Sequence, residues 1–327
     1  MAFRFQNYFS MFELAALIQS VLAQQPKVVG VDMIFKDMRE PYSDSLLMAT
    51  LSDPRIVGSF IVEKPEYIYS NPYFHLKYQT SGFVNLNFDS GNTVIRSFAG
   101  TTLDIQDEPV YSFSSQIAKM AMGEQLWQER NYGQVLLGET PLSYYGNTDK
   151  FLTLGFDEFI TLDNTELLKD KVVLLGYLGV PTGNPYDVED KHFTPLNEVT
   201  AGKSIPDMYG VLVHANIIHM LLNNKVMTRV ANWVVGVLSF LLTFLMIMYF
   251  MWEGKKDKIS FRTKRKIVQF IFTMVVTFFA LWLFKQGVIL NAVPLIGLPL
   301  LASSYMKYYK HLIEFIQTKR KWKSYVT

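Results

Sequence analysis

The 327-residue chain is half hydrophobic and carries a formal net charge of +2, with no cysteine. The missing cysteines exclude disulfides, thiolate metal sites and cysteine catalysis. From Val230 onward there are 14 Lys and Arg against 3 Asp and Glu, which leaves 17 against 26 before it; so acidic a globular part cannot neutralise phosphates and excludes a nucleic-acid binder.

In chain order, Ser10-Met11-Phe12-Glu13 has the form of a capping box, in which hydroxyl and carboxylate each satisfy a free backbone N–H. Leu14, Leu17, Ile18, Val21 and Leu22 follow at helical spacing, so an amphipathic helix is predicted, ending at Gln25-Pro26. Val28–Val31 is a short β-branched run and predicts a buried strand. Helix then buried strand indicates an α/β arrangement, with parallel strands covered on both faces. Ser43 is expected to cap a short helix that turns Leu46, Leu47 and Leu51 inward, and Arg55–Val62 is the next strand. Residues 63–80, rich in Pro, Tyr and Asn, predict an irregular excursion. Phe83–Phe88 and Thr93–Phe98 flank Asp89-Ser90-Gly91-Asn92 and predict a hairpin. Ser112–Met122 predicts a helix, Leu142–Tyr145 a strand, and Lys171–Gly176 the clearest buried strand of the chain. Residues 179–205 form a long Gly-, Pro- and Asp-rich loop, of a length that is usually functional or disordered. Pro206 is expected to open a helix that runs to Leu222.

Val230–Trp252 and Ile267–Phe284 are uncharged, and Val288–Met306 is a third such run broken by Pro294 and Pro299. At about 1.5 Å per residue, about 20 residues cross a hydrocarbon core of roughly 30 Å. Three transmembrane helices are therefore expected. They separate a globular part, residues 1–229, from the basic loop 253–266 and the basic tail 307–327, which the positive-inside rule places in the cytoplasm. The acidic domain then lies outside the cytoplasm. Residues 1–25 contain no apolar core long enough for a leader, so either the orientation is reversed or the full-length form carries an N-terminal anchor that this sequence lacks, and the second is the expectation.

Four constellations could carry chemistry. Asp187, Glu189, Asp190 and His192 gather oxygen and imidazole ligands in one loop as a divalent metal site would, but without a standard spacing, and a solvated acidic loop is the better reading. His214 and His219 are five apart on one predicted helix, where a shared metal wants four; His214 reads better as a hydrogen-bonded, partly buried residue. Gly176-Tyr177-Leu178-Gly179 after a strand could admit a ligand to backbone N–H groups, but no phosphate-loop pattern follows, and a strand-end turn is the simpler reading. Asp32, Asn85 and Arg96 sit at predicted strand ends, where open α/β sheets bind ligands. Asp32 either lines such a pocket or pairs with Arg96. No nucleophile elbow or other catalytic motif emerges.

The order of segments is more specific. VVGVDMIF at 28–35, SDSLLMATL at 43–51, GFVNLNFD at 82–89, LKDKVVLLGYLG at 168–179, DKHFTPL at 190–196 and MYGVLVHANIIHMLL at 208–222 precede the apolar block. Together they resemble the type-two CHASE domain, an extracellular sensory module of bacterial signalling proteins, over roughly residues 12–225. The resemblance implies an α/β sensor with a mostly parallel or mixed sheet covered by helices, anchored in the inner membrane. Family members normally open with a transmembrane helix and a first strand, and this chain begins almost at the helix that follows them. The family's frequent kinase or cyclase output finds no motif here.

The expected function is therefore a membrane-anchored sensory or ligand-binding protein, not an enzyme, without metal or other cofactor. Asp32, Asn85, Arg96, Thr194, His214 and Asn216 are the candidate ligand-binding residues. The stimulus is a small molecule or environmental cue, and the signal passes to a separate partner. One alternative is an extracytoplasmic metal-dependent hydrolase using Asp187, Asp190, His192 and His214. Another is a structural docking protein, with a homo-oligomer as one arrangement, whose first span packs laterally through Gly236, Ser239 and Thr243.

Overall fold

The computed structural model describes residues 2–4, 10–63, 66–86, 93–104, 106–161, 166–179, 188–197, 204–253 and 258–320. The chain divides into two compact units, Met1–Val226 and Met227–Thr327.

In the first unit β1 (Ala2–Arg4) precedes α1 (Met11–Ala23) and β2 (Val28–Val31). The capping box of α1 forms as expected, with Ser10 Oγ accepting the Glu13 N–H at 3.2 Å and the Glu13 carboxylate accepting the Ser10 N–H at 2.9 Å. Next come α2 (Pro41–Leu51), β3 (Ile56–Glu63), β4 (Glu66–Ile68), α3 (Pro72–His75) and β5 (Thr80–Phe83). Short pairs follow, β6 (Ser97–Ala99), β7 (Thr101–Leu103) and β8 (Pro109–Tyr111), ahead of α4 (Phe113–Met122), α5 (Glu124–Glu129) and α6 (Tyr132–Val135). The unit closes with β9 (Glu139–Pro141), β10 (Thr153–Gly155), α7 (Phe156–Thr161), β11 (Val172–Gly176), β12 (Lys191–His192), β13 (Met208–Tyr209) and α8 (Gly210–Leu222).

The main sheet runs β10-β1-β11-β2-β3, all parallel; β4 joins β3 antiparallel and β5 joins it parallel, so the sheet is mixed. Alternation along the strands fills two cores. Val28, Val57 and Leu174 point to the face covered by α4 and α8, with Phe113, Ile117, Val211 and Leu212. Val29, Val31, Ile56, Val173 and Leu175 point to the face covered by α1 and α2, with Leu14, Leu17, Ile18, Leu47 and Leu51. Two close approaches need glycine. A Cβ on Gly30 would stand 2.4 Å from Ile117 Cδ1, and one on Gly82 would stand 2.5 Å from the Phe113 backbone nitrogen. The α4 helix rests directly on the sheet at these points.

Several local expectations are corrected. A strand does precede α1: β1 pairs with both β11 and β10, and three residues are too few to show a period. Ser43 lies inside α2; Pro41 occupies its first turn, and the Asp44 carboxylate accepts the Arg39 and Glu40 N–H groups. Residues 63–80 are not irregular throughout, since they hold β4 and α3. The expected hairpin does not form, because β5 pairs with β3 and β6 with β9; its turn at 89–92 lies outside the described residues. The strand near Leu142 is β9, ending at Pro141. The helix expected from Pro206 begins at Gly210, because Met208 and Tyr209 pair antiparallel with His192 and Lys191.

The second unit contains β14 (Thr228–Arg229), α9 (Asn232–Glu253), α10 (Lys258–Lys285), β15 (Val288–Ile289), α11 (Ala292–Ser304) and α12 (Met306–Arg320). Among the described residues two helices, not three, are long and apolar enough to cross a membrane: Asn232–Glu253 and the Thr263–Lys285 part of α10. The third expected span is instead the 13-residue α11, about 20 Å long. It contains Pro299 and stops at Tyr305. α11 packs along α9, burying Val235 and Ser239 of α9 and Leu295, Pro299 and Ser303 of α11. Ser239, expected on a contact surface for other molecules, is thus used inside the chain, whereas Gly236 is open.

Candidate functional site

The C-terminal ends of β2 and β11 lie side by side, and the Asp32 N–H donates to the Leu175 carbonyl at 2.8 Å. Asp32 is half-buried. Beside it Gly176 is hemmed in. A Cβ there would meet Val211 at 2.8 Å and the Asp32 Cβ at 3.3 Å. The small residue leaves the strand end open to the Asp32 side chain.

Asp190 approaches from the segment before β12, in a left-handed conformation with φ of 53°. Its carbonyl accepts the Gly210 N–H at 3.0 Å, at the start of α8. Its carboxylate oxygens lie 3.1 and 3.2 Å from where a Cβ of Gly210 would be. Any side chain at position 210 would push the carboxylate off the helix terminus.

The two carboxylates perturb one another. Burial, then the charge of Asp190, pushes Asp32 up to about 7. Burial also raises Asp190, to about 6; the Gly210 N–H pulls it down and Glu189 pushes it further up. The Asp190 side chain is still 44 % exposed, so solvent screens its charge more than that of Asp32. Among the described residues neither carboxylate is paired with a lysine or arginine. Lys191, next to Asp190, instead places its ammonium 4.9 Å from the centre of the Tyr209 ring. The nearest basic group to Asp190 is His192 Nε2, at 3.9 Å from Oδ1, and burial lowers the pKa of that imidazole.

His214 continues the row. It is 3 % exposed, its ring stands edge-on to Phe113, and Nδ1 lies 2.8 Å from the Ser114 hydroxyl. Burial, then the neighbouring His192, holds it down to about 3, while the Val84 backbone works against this. It is therefore neutral across the physiological range, with one ring nitrogen to donate and one to accept. The Val84 carbonyl suits the donor, which leaves Nδ1 to accept from Ser114.

The remaining candidates are held by the fold. Thr194 is buried and donates its N–H and hydroxyl to the Asp207 carboxylate, at 2.8 and 2.5 Å. Asn216 is fully buried. Its oxygen accepts the Tyr145 and Gly146 N–H groups, and its amide donates to the Gly146 and Leu212 carbonyls. Asn85 pairs both the N–H and the carbonyl of Val62, at 2.8 and 3.0 Å, adding one rung to the β3–β5 ladder. Arg96 is exposed and lies near Tyr144, whose hydroxyl donates to the Ile95 carbonyl at 2.9 Å. It makes no ion pair with Asp32. The structure thus brings together Asp32, Asp190, His192 and His214, and separately Thr194, Asp207, Tyr144 and Arg96.

Asp190 and His192 were singled out by composition, as parts of a metal loop. The described residues contain no group of three or more such side chains placed to hold an ion, and Asp187 lies outside them. Ser114 was missed because it meets His214 across 100 residues of sequence. Gly176 and Gly210 were visible only as glycines beside a strand and a helix. Two adjacent carboxylates can take up a proton, or accept hydrogen bonds from a cationic or donor-rich ligand.

Neither curated proteins nor solved structures gave a match to the chain. Comparison with protein families did, with the CHASE2 domain over residues 7–252. That family is sensory and not catalytic, and the match spans well over half of the 327 residues. The mixed sheet, helix-covered on both faces, together with the strand-end carboxylates, belongs to a member of the CHASE2 domain family.

Proposed function

We propose that the chain is a membrane-anchored extracytoplasmic sensor, whose α/β domain detects a cationic or hydrogen-bond-donating ligand at Asp32 and Asp190. The observation that carries this reading is the uncompensated carboxylate pair at the ends of β2 and β11, beside the first residue of α8. Neutralising two adjacent carboxylates favours whichever arrangement of the domain holds them closest, and a ligand shifts a conformational equilibrium only through such a difference. Output goes to a partner on the other side of the membrane. The family supports the sensory role. The two long apolar helices support anchoring, and the charge asymmetry supports the orientation.

Two experiments test it. A thermal-shift screen of polyamines and divalent cations at pH 8 should give a stabilising compound. Its effect should vanish in Asp32→Asn and Asp190→Asn and survive in Asp104→Asn; a shift retained in both site variants removes the ligand assignment. The chain has no cysteine, so single cysteines report sidedness cleanly. Thr148→Cys should react with an impermeant maleimide on intact cells, and Thr263→Cys only after permeabilisation. The reverse pattern overturns the orientation.

A further inference from the structure

The α12 helix starts where Met306, 5 % exposed, packs with Met246 and Phe250 near the end of α9. From there an apolar stripe runs outward without protein cover. Tyr305, Tyr308, Leu312 and Phe315 are 60 %, 68 %, 54 % and 58 % exposed. Their spacing of three, four and three residues places them along one side of a helix. The sequence of α12 carries Lys307, Lys310, Lys319 and Arg320 against Glu314 alone. Lys319 folds its ammonium back to 5.0 Å from the centre of the Phe315 ring, at the rim of the stripe, where a cation can stay near water over apolar contact.

The end of α9 beside which α12 begins leads into the sequence between α9 and α10, which is also basic, with Lys255 and Lys256 against Asp257. A stripe of this spacing is also the seam of a coiled coil. Seams favour Leu, Ile and Val, however, and here three of the four positions are aromatic. The next seam position is Lys319, and a net positive helix repels a copy of itself. Aromatic side chains with basic neighbours suit the boundary between headgroups and acyl chains.

We infer that α12 lies along an anionic bilayer surface, with the Tyr305–Tyr308–Leu312–Phe315 face in the headgroup boundary and Lys319, on that same face, against lipid phosphates. This rests on the membrane-anchored reading above. It makes the helix responsive to lipid charge, since each basic residue near such a surface is worth roughly fivefold in binding.

The test uses the full chain in vesicles of phosphatidylcholine, or of phosphatidylcholine with three parts in ten of phosphatidylglycerol. Single cysteines at Leu312→Cys, Thr318→Cys and Met274→Cys carry a fluorophore quenched by aqueous iodide. Adding phosphatidylglycerol should reduce iodide quenching at position 312 by about threefold and leave position 318 unchanged. Introducing Lys319→Glu should restore the quenching seen without anionic lipid. Equal quenching at 312 in both lipids overturns the proposal. So does protection in both lipids with cross-linking between position-312 cysteines, which would assign the stripe to a second copy. The Met274 probe, midway along α10, should be protected in either lipid. If iodide reaches it, the membrane reading itself fails, and that failure is distinct from one confined to α12.

Discussion

Asp32 shows how a single residue can set the pH response of the domain. Folded Asp32 titrates at about 7, and an unfolded aspartate near 4. Between these values the folded chain holds a proton that the unfolded chain has released, so the contribution of Asp32 to stability falls as pH rises through this window. Asp190, raised to about 6, has the same sign. His214, held down to about 3 from 6.5, has the opposite sign. Below 6.5 the unfolded chain gains the proton, so the contribution of His214 rises with pH from about 3 to 6.5. Asp32→Asn should therefore stabilise the chain by about 3 kcal/mol at pH 8, and hardly at all at pH 4. Urea denaturation in detergent micelles at both values measures this, and an equal gain at the two would show that the raised pKa is not the cause. Asn216 is the contrasting case. Its amide makes four backbone hydrogen bonds in the core, so Asn216→Ala should cost about 3 kcal/mol or more. Sequence named Asp32 for its place at a strand end and Asn216 within a segment that carries the family resemblance. Their partners set the two apart, and for Asn216 two of these, Gly146 and Tyr145, lie 70 and 71 residues away.

At the scale of elements, regular periodicity was readable and pairing was not. The α1 helix, β2, β3, α4 and β11 are anticipated to within a residue or two, because their apolar spacing continues for a turn or a full strand. The supposed hairpin illustrates the limit. Two apolar runs around Asp-Ser-Gly-Asn satisfy the local pattern, yet among the described residues of the first run only Phe83 is in a strand, β5, and β5 pairs in parallel with β3, whose pairing positions begin at Val57 and lie 23 residues earlier in sequence. Gly82 records that choice, since α4 presses its backbone onto the strand at that point. Gly82→Ala should lift the start of α4 and cost about 3 kcal/mol, because the atoms in the way are backbone and cannot turn aside. In the second unit Gln269 of α10 donates to Ser303 Oγ of α11 at 2.7 Å. Gln269→Leu should loosen this helix pair by about 1 kcal/mol, measurable by steric trapping or detergent denaturation. A loss of nothing would mean that apolar packing alone holds α11.

At the scale of the whole molecule, the chain divides into compact units after Val226, a few residues before the first long uncharged run begins at Val230. The family was legible from segment order, and its match extends over residues 7–252. The candidate site was only half legible. Asp32 follows an evident strand, but Asp190 reaches it from a loop whose path depends on β12 pairing with β13. Span counting failed for a physical reason. Uncharged length was counted from Val288 through Met306, but Val288 and Ile289 are in β15 and the helix runs only from Ala292 to Ser304.

The two-residue bridge between β14 and β15 aligns Thr228 with Val288 and Arg229 with Ile289, in parallel, directly ahead of α9 and α11. The two helices therefore begin from one clasp and run on in the same direction. A tug on the chain at Thr228 is divided between them at the outset, so α9 and α11 behave as one beam with two roots. The turn after α10 closes through the Gln286 and Gly287 N–H groups, and Gly287 holds there a positive φ of 79° that its missing side chain leaves unstrained.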